Sequence, residues 1–165
     1  MKPGGPQPAS RQIPFNGVFR LRDGKLTAVI TDMNLPNGLG FSPDGKTFYV
    51  DNTFPMQLRA YDVRPNDTLS NMRVIARFAR NSPYGRGAPD GLKVDSVGHI
   101  WMMAPGGMVV LSPQGRILGR LQLPSFAANM AFGGTDYSSL FIVSGPHIYC
   151  IHTLVRGEIP LYAAR

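Results

Sequence analysis

Two polar side chains, Asn37 and Asp90, each stand directly before a glycine at the head of a short apolar run. Asn37 lies in NLPNGLGFSPDGKTFYV, residues 34–50, and Asp90 lies in APDGLKVDSVGHIWMM, residues 88–103. Both stretches continue with a Gly turn and a second strand-like run. An amide oxygen and a carboxylate that converge on one point would suit a hard cation such as Ca²⁺ or Mg²⁺. The glycine after each would let the backbone approach closely behind the polar side chain.

Turn formation is the alternative explanation for both pairs, because Asn-Gly and Asp-Gly are common turn dipeptides. Asp44, in the SPDGK segment, is interpreted in this way. The residues alone therefore leave two roles open for Asn37 and Asp90, cation binding and turn formation. Which role applies depends on the secondary structure that carries these residues.

The elements are predicted to be strands throughout, since helical periodicity is nearly absent. Short runs of β-branched and aromatic residues alternate with Gly turns, which is typical of an all-β chain. Thirteen such runs are predicted as strands: 17–21, 26–31, 38–42, 47–52, 58–63, 73–79, 91–95, 100–104, 108–112, 117–123, 130–134, 140–145 and 147–153.

The runs repeat in sets. Aligning Leu39 with Leu92 and Met130 gives offsets of 53 and 38 residues, and a period of about 40–45 residues with four strands indicates a β-propeller blade. A β-sandwich remains the alternative. The first strand of each blade lines the channel of a propeller, so Asn37 and Asp90 are expected to meet at one mouth of it.

The number of predicted strands is too small for a closed ring. Thirteen strands make about three and a quarter blades, whereas propellers usually close with about 4–8. An open row of blades would leave sheet faces and edges uncovered. We therefore expect a partial propeller of three to three and a half blades over residues 14–157, with a flexible segment over 1–13 and a tail over 158–165.

Composition excludes several classes of protein. The chain is 43% hydrophobic, which excludes a disordered chain, and its formal net charge is +7. The arginines are scattered without a basic run, so nucleic acid is not an expected partner. We find neither an apolar run of membrane-spanning length nor a signal-peptide h-region, and we expect a cytoplasmic location without membrane contact. The single cysteine, Cys150, lies in an apolar run and is predicted to be a core residue.

These motifs together resemble the second half of the gluconolactonase / senescence marker protein family, the regucalcin-like proteins. The resemblance runs from about Pro14 to Gly157. It is carried by PFNGVFRL, LPNGLGFSPDGKTFYVDNT, GAPDGLKVDSVGHIWMMAPGGMVVLSPQGRILGRLQLP and ANMAFGG. The resemblance implies a six-bladed propeller that hydrolyses lactones, with D-glucono-1,5-lactone as the type substrate.

The resemblance also implies one divalent metal over the channel, usually calcium, with zinc or magnesium as possible substitutes. Asn37 and Asp90 match two of the four metal ligands of the family, and Asp90 also matches its general base. The family's Glu and second Asn belong to blades that have no counterpart here, and no Glu precedes Glu158 in this sequence. We therefore expect metal-dependent lactone hydrolysis that is impaired in this chain.

The alternative function is a non-catalytic partial propeller that acts as a binding or assembly module. Such a module would pair with a second copy or with a complementing N-terminal half. For the lactonase, the expected partner is a small lactone. Asn52, at the end of a predicted strand, and Phe54 and Tyr84, in predicted loops, are expected to contact that substrate.

Overall fold

The structure is a computed structural model that describes residues 13–158, and thirteen strands account for its regular structure. The predicted segment 1–13 and tail 158–165 therefore lie outside the described residues, apart from one residue each. No helix in the described part is long and apolar enough to cross a membrane. The strands are β1 Asn16–Arg22, β2 Lys25–Met33, β3 Pro36–Phe41, β4 Thr47–Asn52, β5 Gln57–Val63, β6 Leu69–Arg77, β7 Leu92–Val94, β8 Ile100–Ala104, β9 Gly107–Leu111, β10 Ile117–Gln122, β11 Ala127–Gly133, β12 Ser139–Ser144 and β13 His147–His152.

All thirteen predicted strands are present, and they pair with their neighbours along the chain. The sheets are β1-β2, β3-β4-β5-β6, β7-β8-β9-β10 and β11-β12-β13, with every pairing antiparallel. The largest difference from prediction is β6, which begins at Leu69 instead of 73. A tight turn causes this, because the Arg64 N–H donates to the Thr68 carbonyl at 2.9 Å and brings Leu69 opposite Val63.

The sheets meet chiefly through their inner strands. β3 contacts β7, and β7 contacts β11, while β1 approaches β3. Sheets that touch along their first strands and diverge toward their last strands are the blades of a β-propeller. The chain therefore forms two complete blades between one two-stranded and one three-stranded sheet, in agreement with the prediction.

Apolar side chains between the blades hold them together. Leu58 from the second sheet and Leu92 from the third are both 0% exposed and belong to one cluster. Between the third and fourth sheets, the Trp101 ring meets Phe132 edge-on with centroids 5.6 Å apart. Burial of each large side chain contributes about 1.5–3 kcal/mol, which fixes the blades relative to one another.

The prediction that Cys150 is a core residue is wrong, because its side chain is exposed. Successive side chains of a strand point to opposite faces. In β13, Tyr149 and Ile151 pack against the cluster between the third and fourth sheets, so Cys150 points away from it.

Candidate metal centre

A bulge in β3 carries Asn37. Pro36 pairs with Asn52 and Leu39 pairs with Val50, so two residues of β3 lie opposite the single residue Asp51 of β4. Such a bulge changes the direction in which a side chain at the end of a strand points. Asn37 is exposed as a result.

Asp90 lies immediately before β7, in a segment fixed on both sides. The Gly91 N–H donates to the Ala128 carbonyl of β11 at 2.9 Å, and its carbonyl accepts from the Met103 N–H of β8 at 3.0 Å. A Cβ built on Gly91 would overlap the Asn129 side chain. Only glycine fits here, which explains the Asp-Gly pair by close packing instead of by turn formation.

The side chains of Asn37 and Asp90 meet across the boundary between the second and third sheets. The Asn37 amide lies near enough to the Asp90 carboxylate to lower the pKa of that carboxyl. Asn37 Nδ2 also donates to Thr53 Oγ1 at 3.2 Å, and that hydroxyl donates to the Pro89 carbonyl at 2.8 Å. Thr53 therefore ties the two strand heads together, a role that the sequence did not indicate.

The environment of Asp90 suits a group that accepts a proton. Partial burial raises the pKa of the Asp90 carboxyl, while the hydrogen bonds from Asn37 and the Gly91 N–H oppose that rise. A carboxylate with a raised pKa is a stronger base.

A second carboxylate, Asp51, lies directly behind this pair, and no motif in the sequence indicated it. Asp51 is 0% exposed, and neither of its oxygens has a hydrogen-bond partner among the described residues. Burial, with a smaller contribution from the negative charge of Asp90, raises the pKa of the Asp51 carboxyl to about 8. The Gly38 N–H lies near enough to lower this pKa, but it does not reach normal hydrogen-bond geometry.

Without divalent cations, the wild-type chain is expected to lose stability relative to Asp51→Asn as the pH rises from about 4 to about 8. The folded chain holds the Asp51 proton up to about pH 8, whereas the unfolded chain releases it near the ordinary value of 3.8. The folded state therefore binds more protons in this window, and stability falls by up to about 1.4 kcal/mol per pH unit. Urea unfolding in EDTA at pH 5 and pH 8 measures this difference. A difference that does not change with pH would contradict it.

The three residues predicted to contact substrate lie in different environments. Asn52 is 1% exposed, and its Oδ1 accepts from the Leu35 N–H at 2.8 Å, so its position gives no access to a substrate. A buried side-chain oxygen that holds a backbone N–H is structural, which corrects that prediction. Phe54 is 55% exposed, and the exposed Tyr84 ring stacks under the Arg120 guanidinium at 4.1 Å. Substrate contacts of Phe54 and Tyr84 stay predictions.

Glu158 lies at the wrong end of the third sheet to join Asn37 and Asp90. Its neighbour Gly157 pairs with Asp95, which follows β7, whereas Asp90 precedes β7. Five extended residues span about 15 Å. Glu158 is therefore too distant from Asn37 and Asp90 to replace the Glu that the resemblance implies as a metal ligand.

The donors present fit part of a site for a hard divalent cation. They comprise one amide and one carboxylate, from Asn37 and Asp90, and the buried Asp51 carboxylate lies behind them. Within residues 13–158, no group of three His, Cys, Asp or Glu side chains could hold a metal ion. Calcium takes six to eight oxygens, so these donors would need further ligands or water. The buried, unpartnered carboxylate nevertheless favours a positive charge at this place.

Known proteins share sequence with this chain over most of its length. Residues 3–146 match the family model of the SMP-30/gluconolactonase/LRE-like region. The chain is 38% identical over 133 residues to pentonolactonase XacC of Haloferax volcanii, covering 77% of the chain and 44% of the relative. It is 30% identical over 154 residues to a gluconolactonase of Zymomonas mobilis, covering 89% and 43%.

A solved gluconolactonase structure from Xanthomonas campestris gives the same result at the level of the fold. It superposes with a TM-score of 0.74 at 31% identity, covering 92% of this chain and 48% of that one. The chain thus spans about half the length of the relatives it matches. The predicted partial β-propeller is confirmed.

Proposed function

Because the chain belongs to the SMP-30/gluconolactonase/LRE-like family, we propose that it contributes Asn37 and Asp90 to a metal-dependent site that hydrolyses sugar lactones. The observation that carries the proposal is the approach of these two side chains from neighbouring blades, where Thr53 accepts from Asn37 and donates to the Pro89 carbonyl beside Asp90. Two oxygen-bearing groups held at one point by a bulge and a close-packed glycine are pre-organised for a shared ligand.

The chemistry follows from the residue types. A divalent cation bound beside Asn37 and Asp90, with calcium the best match to oxygen donors, would stabilise negative charge on the lactone carbonyl oxygen. Asp90 accepts a proton from a water molecule as that water attacks the carbonyl carbon. The ring C–O bond then breaks as Asp90 returns the proton to the departing ring oxygen, and the product is the aldonic acid. The raised pKa of the Asp90 carboxyl favours this proton transfer.

The site needs more donors than this chain provides in its described part. We propose that they come from a complementing propeller half, because the chain spans about half of its relatives. A second copy of the chain is the other source. Water supplies the remaining positions only at reduced affinity.

Hydrolysis of D-glucono-1,5-lactone by the 165-residue chain tests this proposal. We expect acceleration over the spontaneous reaction when calcium is present, and loss of that acceleration in EDTA. If the chain alone is slow, adding the complementing half should restore turnover. The proposal is contradicted if calcium accelerates hydrolysis in neither sample.

A binding or assembly module is the second candidate function, and one observation favours it. Large apolar side chains are exposed at both ends of the row of blades, including Leu21 at 70% and Leu26 at 64% in the first sheet and Ile148 at 73% in the last. Exposed apolar residues of this kind are typical of surfaces that another protein covers. Light scattering on the purified chain separates a monomer from a self-associated form.

A further inference from the structure

The proposed hydrolysis does not use the buried Asp51 carboxylate, which lies behind Asn37 and Asp90. Asp51 stands opposite the bulge of β3. A Cβ built on Gly38 would overlap both Asp51 Oδ2 and the Asp90 carbonyl oxygen, so both oxygens pack against the Gly38 Cα. Asp51 therefore supports the two strand heads from the protein side and is not itself reachable from solvent.

Nearby cationic side chains have other partners. Arg59 lies opposite Val50 in the β4-β5 pairing, but its guanidinium binds Asp32 Oδ2 at 2.9 Å. Lys93 Nζ binds the Leu92 carbonyl at 2.9 Å. A fully buried carboxylate without a hydrogen bond or an opposite charge is costly, and proteins retain such groups mainly where a cation or another function requires them.

We propose that Asp51 is the buried counter-charge of the divalent-cation site. It is a positioning residue that holds the Asn37–Gly38 bulge against Asp90 and acts on the ion through these neighbours. Because solvent does not reach Asp51, its oxygens do not bind the ion directly. The inference rests on the cation site of the proposed function, but it does not require the chain to turn over a lactone.

Calcium titration calorimetry and thermal unfolding of Asp51→Asn test this role. Asparagine keeps the shape and removes the negative charge. We expect calcium affinity to fall by about tenfold or more, since the attraction between a carboxylate and a nearby divalent cation is strong in a partly buried site. We expect the Tm in EDTA to stay the same or rise, because an unpartnered buried carboxylate has been removed.

The matched control is Asp62→Asn, which removes one negative charge from the same sheet. Asp62 lies opposite Thr47, at the other end of the β4-β5 pairing from Asp51. Its carboxylate binds Asn71 Nδ2 at 3.0 Å and Arg73 at 2.8 Å, near the outer edge of the blade. Calcium affinity should not change in this control.

Three outcomes would overturn the inference. They are a wild-type chain that binds no calcium, an Asp51→Asn variant with unchanged calcium affinity, and a variant that fails to fold in EDTA. The last would make Asp51 a purely structural residue. A chain that binds calcium in an Asp51-dependent way but hydrolyses no lactone would refute the proposed function and support this inference.

Discussion

Replacing Asp90 by asparagine is expected to lower kcat for lactone hydrolysis by about 10²–10⁴-fold, the usual contribution of a general base. The substitution keeps the size of the side chain but removes its ability to accept a proton. Stability should change by less than about 1 kcal/mol, because the Asp90 side chain is only partly buried. Turnover at saturating calcium, with urea unfolding in parallel, measures both effects.

Saturating calcium matters in this experiment because Asp90 has two assigned roles. Weaker metal binding raises the calcium concentration that gives the half-maximal rate. Loss of the general base lowers the maximal rate itself. Asp62→Asn serves as the control and should turn over normally. Retention of wild-type kcat in Asp90→Asn would remove Asp90 from the mechanism.

Replacing Gly38 by alanine is expected to destabilise the chain by about 1–3 kcal/mol or more. The new Cβ would overlap Asp51 Oδ2 and the Asp90 carbonyl oxygen, and it would lie 2.7 Å from Leu92 Cβ. Backbone at this place cannot move without separating the second and third sheets. The midpoint of urea unfolding measures the loss, and calcium affinity should fall with it.

Gly119→Ala is the matched control for this steric effect. Gly119 lies in β10, and a Cβ built on it meets nothing within 4 Å. That variant should be as stable as the wild type or slightly more stable, since alanine restricts the unfolded chain. Equal stability of the Gly38 and Gly119 variants would show that the strand heads are not close-packed.

The repeated pattern of short strands was sufficient to predict the fold. The predicted limits of β4 and β8, residues 47–52 and 100–104, are those observed, because Gly turns border strands rich in apolar residues. Alignment of the repeats also placed Asn37 and Asp90 at equivalent strand heads. Their mutual approach follows from the propeller, in which first strands of neighbouring blades lie side by side.

Asp51 and Asn52 show where the sequence was insufficient. Both lie in TFYVDN, for which the pattern predicted a strand and a substrate contact at Asn52 but no role for Asp51. Their observed roles depend on the register between β3 and β4. A bulge is not visible in a single strand, because it exists only relative to the partner strand. The prediction for Cys150 failed for a related reason, since the packed face of the last strand depends on which sheet lies beside it.

Calcium affinity in a double-mutant cycle of Asn37→Ala and Asp90→Asn tests most directly whether the two side chains share one ion. If they do, each single variant weakens binding, and the double variant loses much less than the sum of the two effects. Strict additivity, or calcium affinity that neither substitution changes, would contradict a shared cation site at these strand heads.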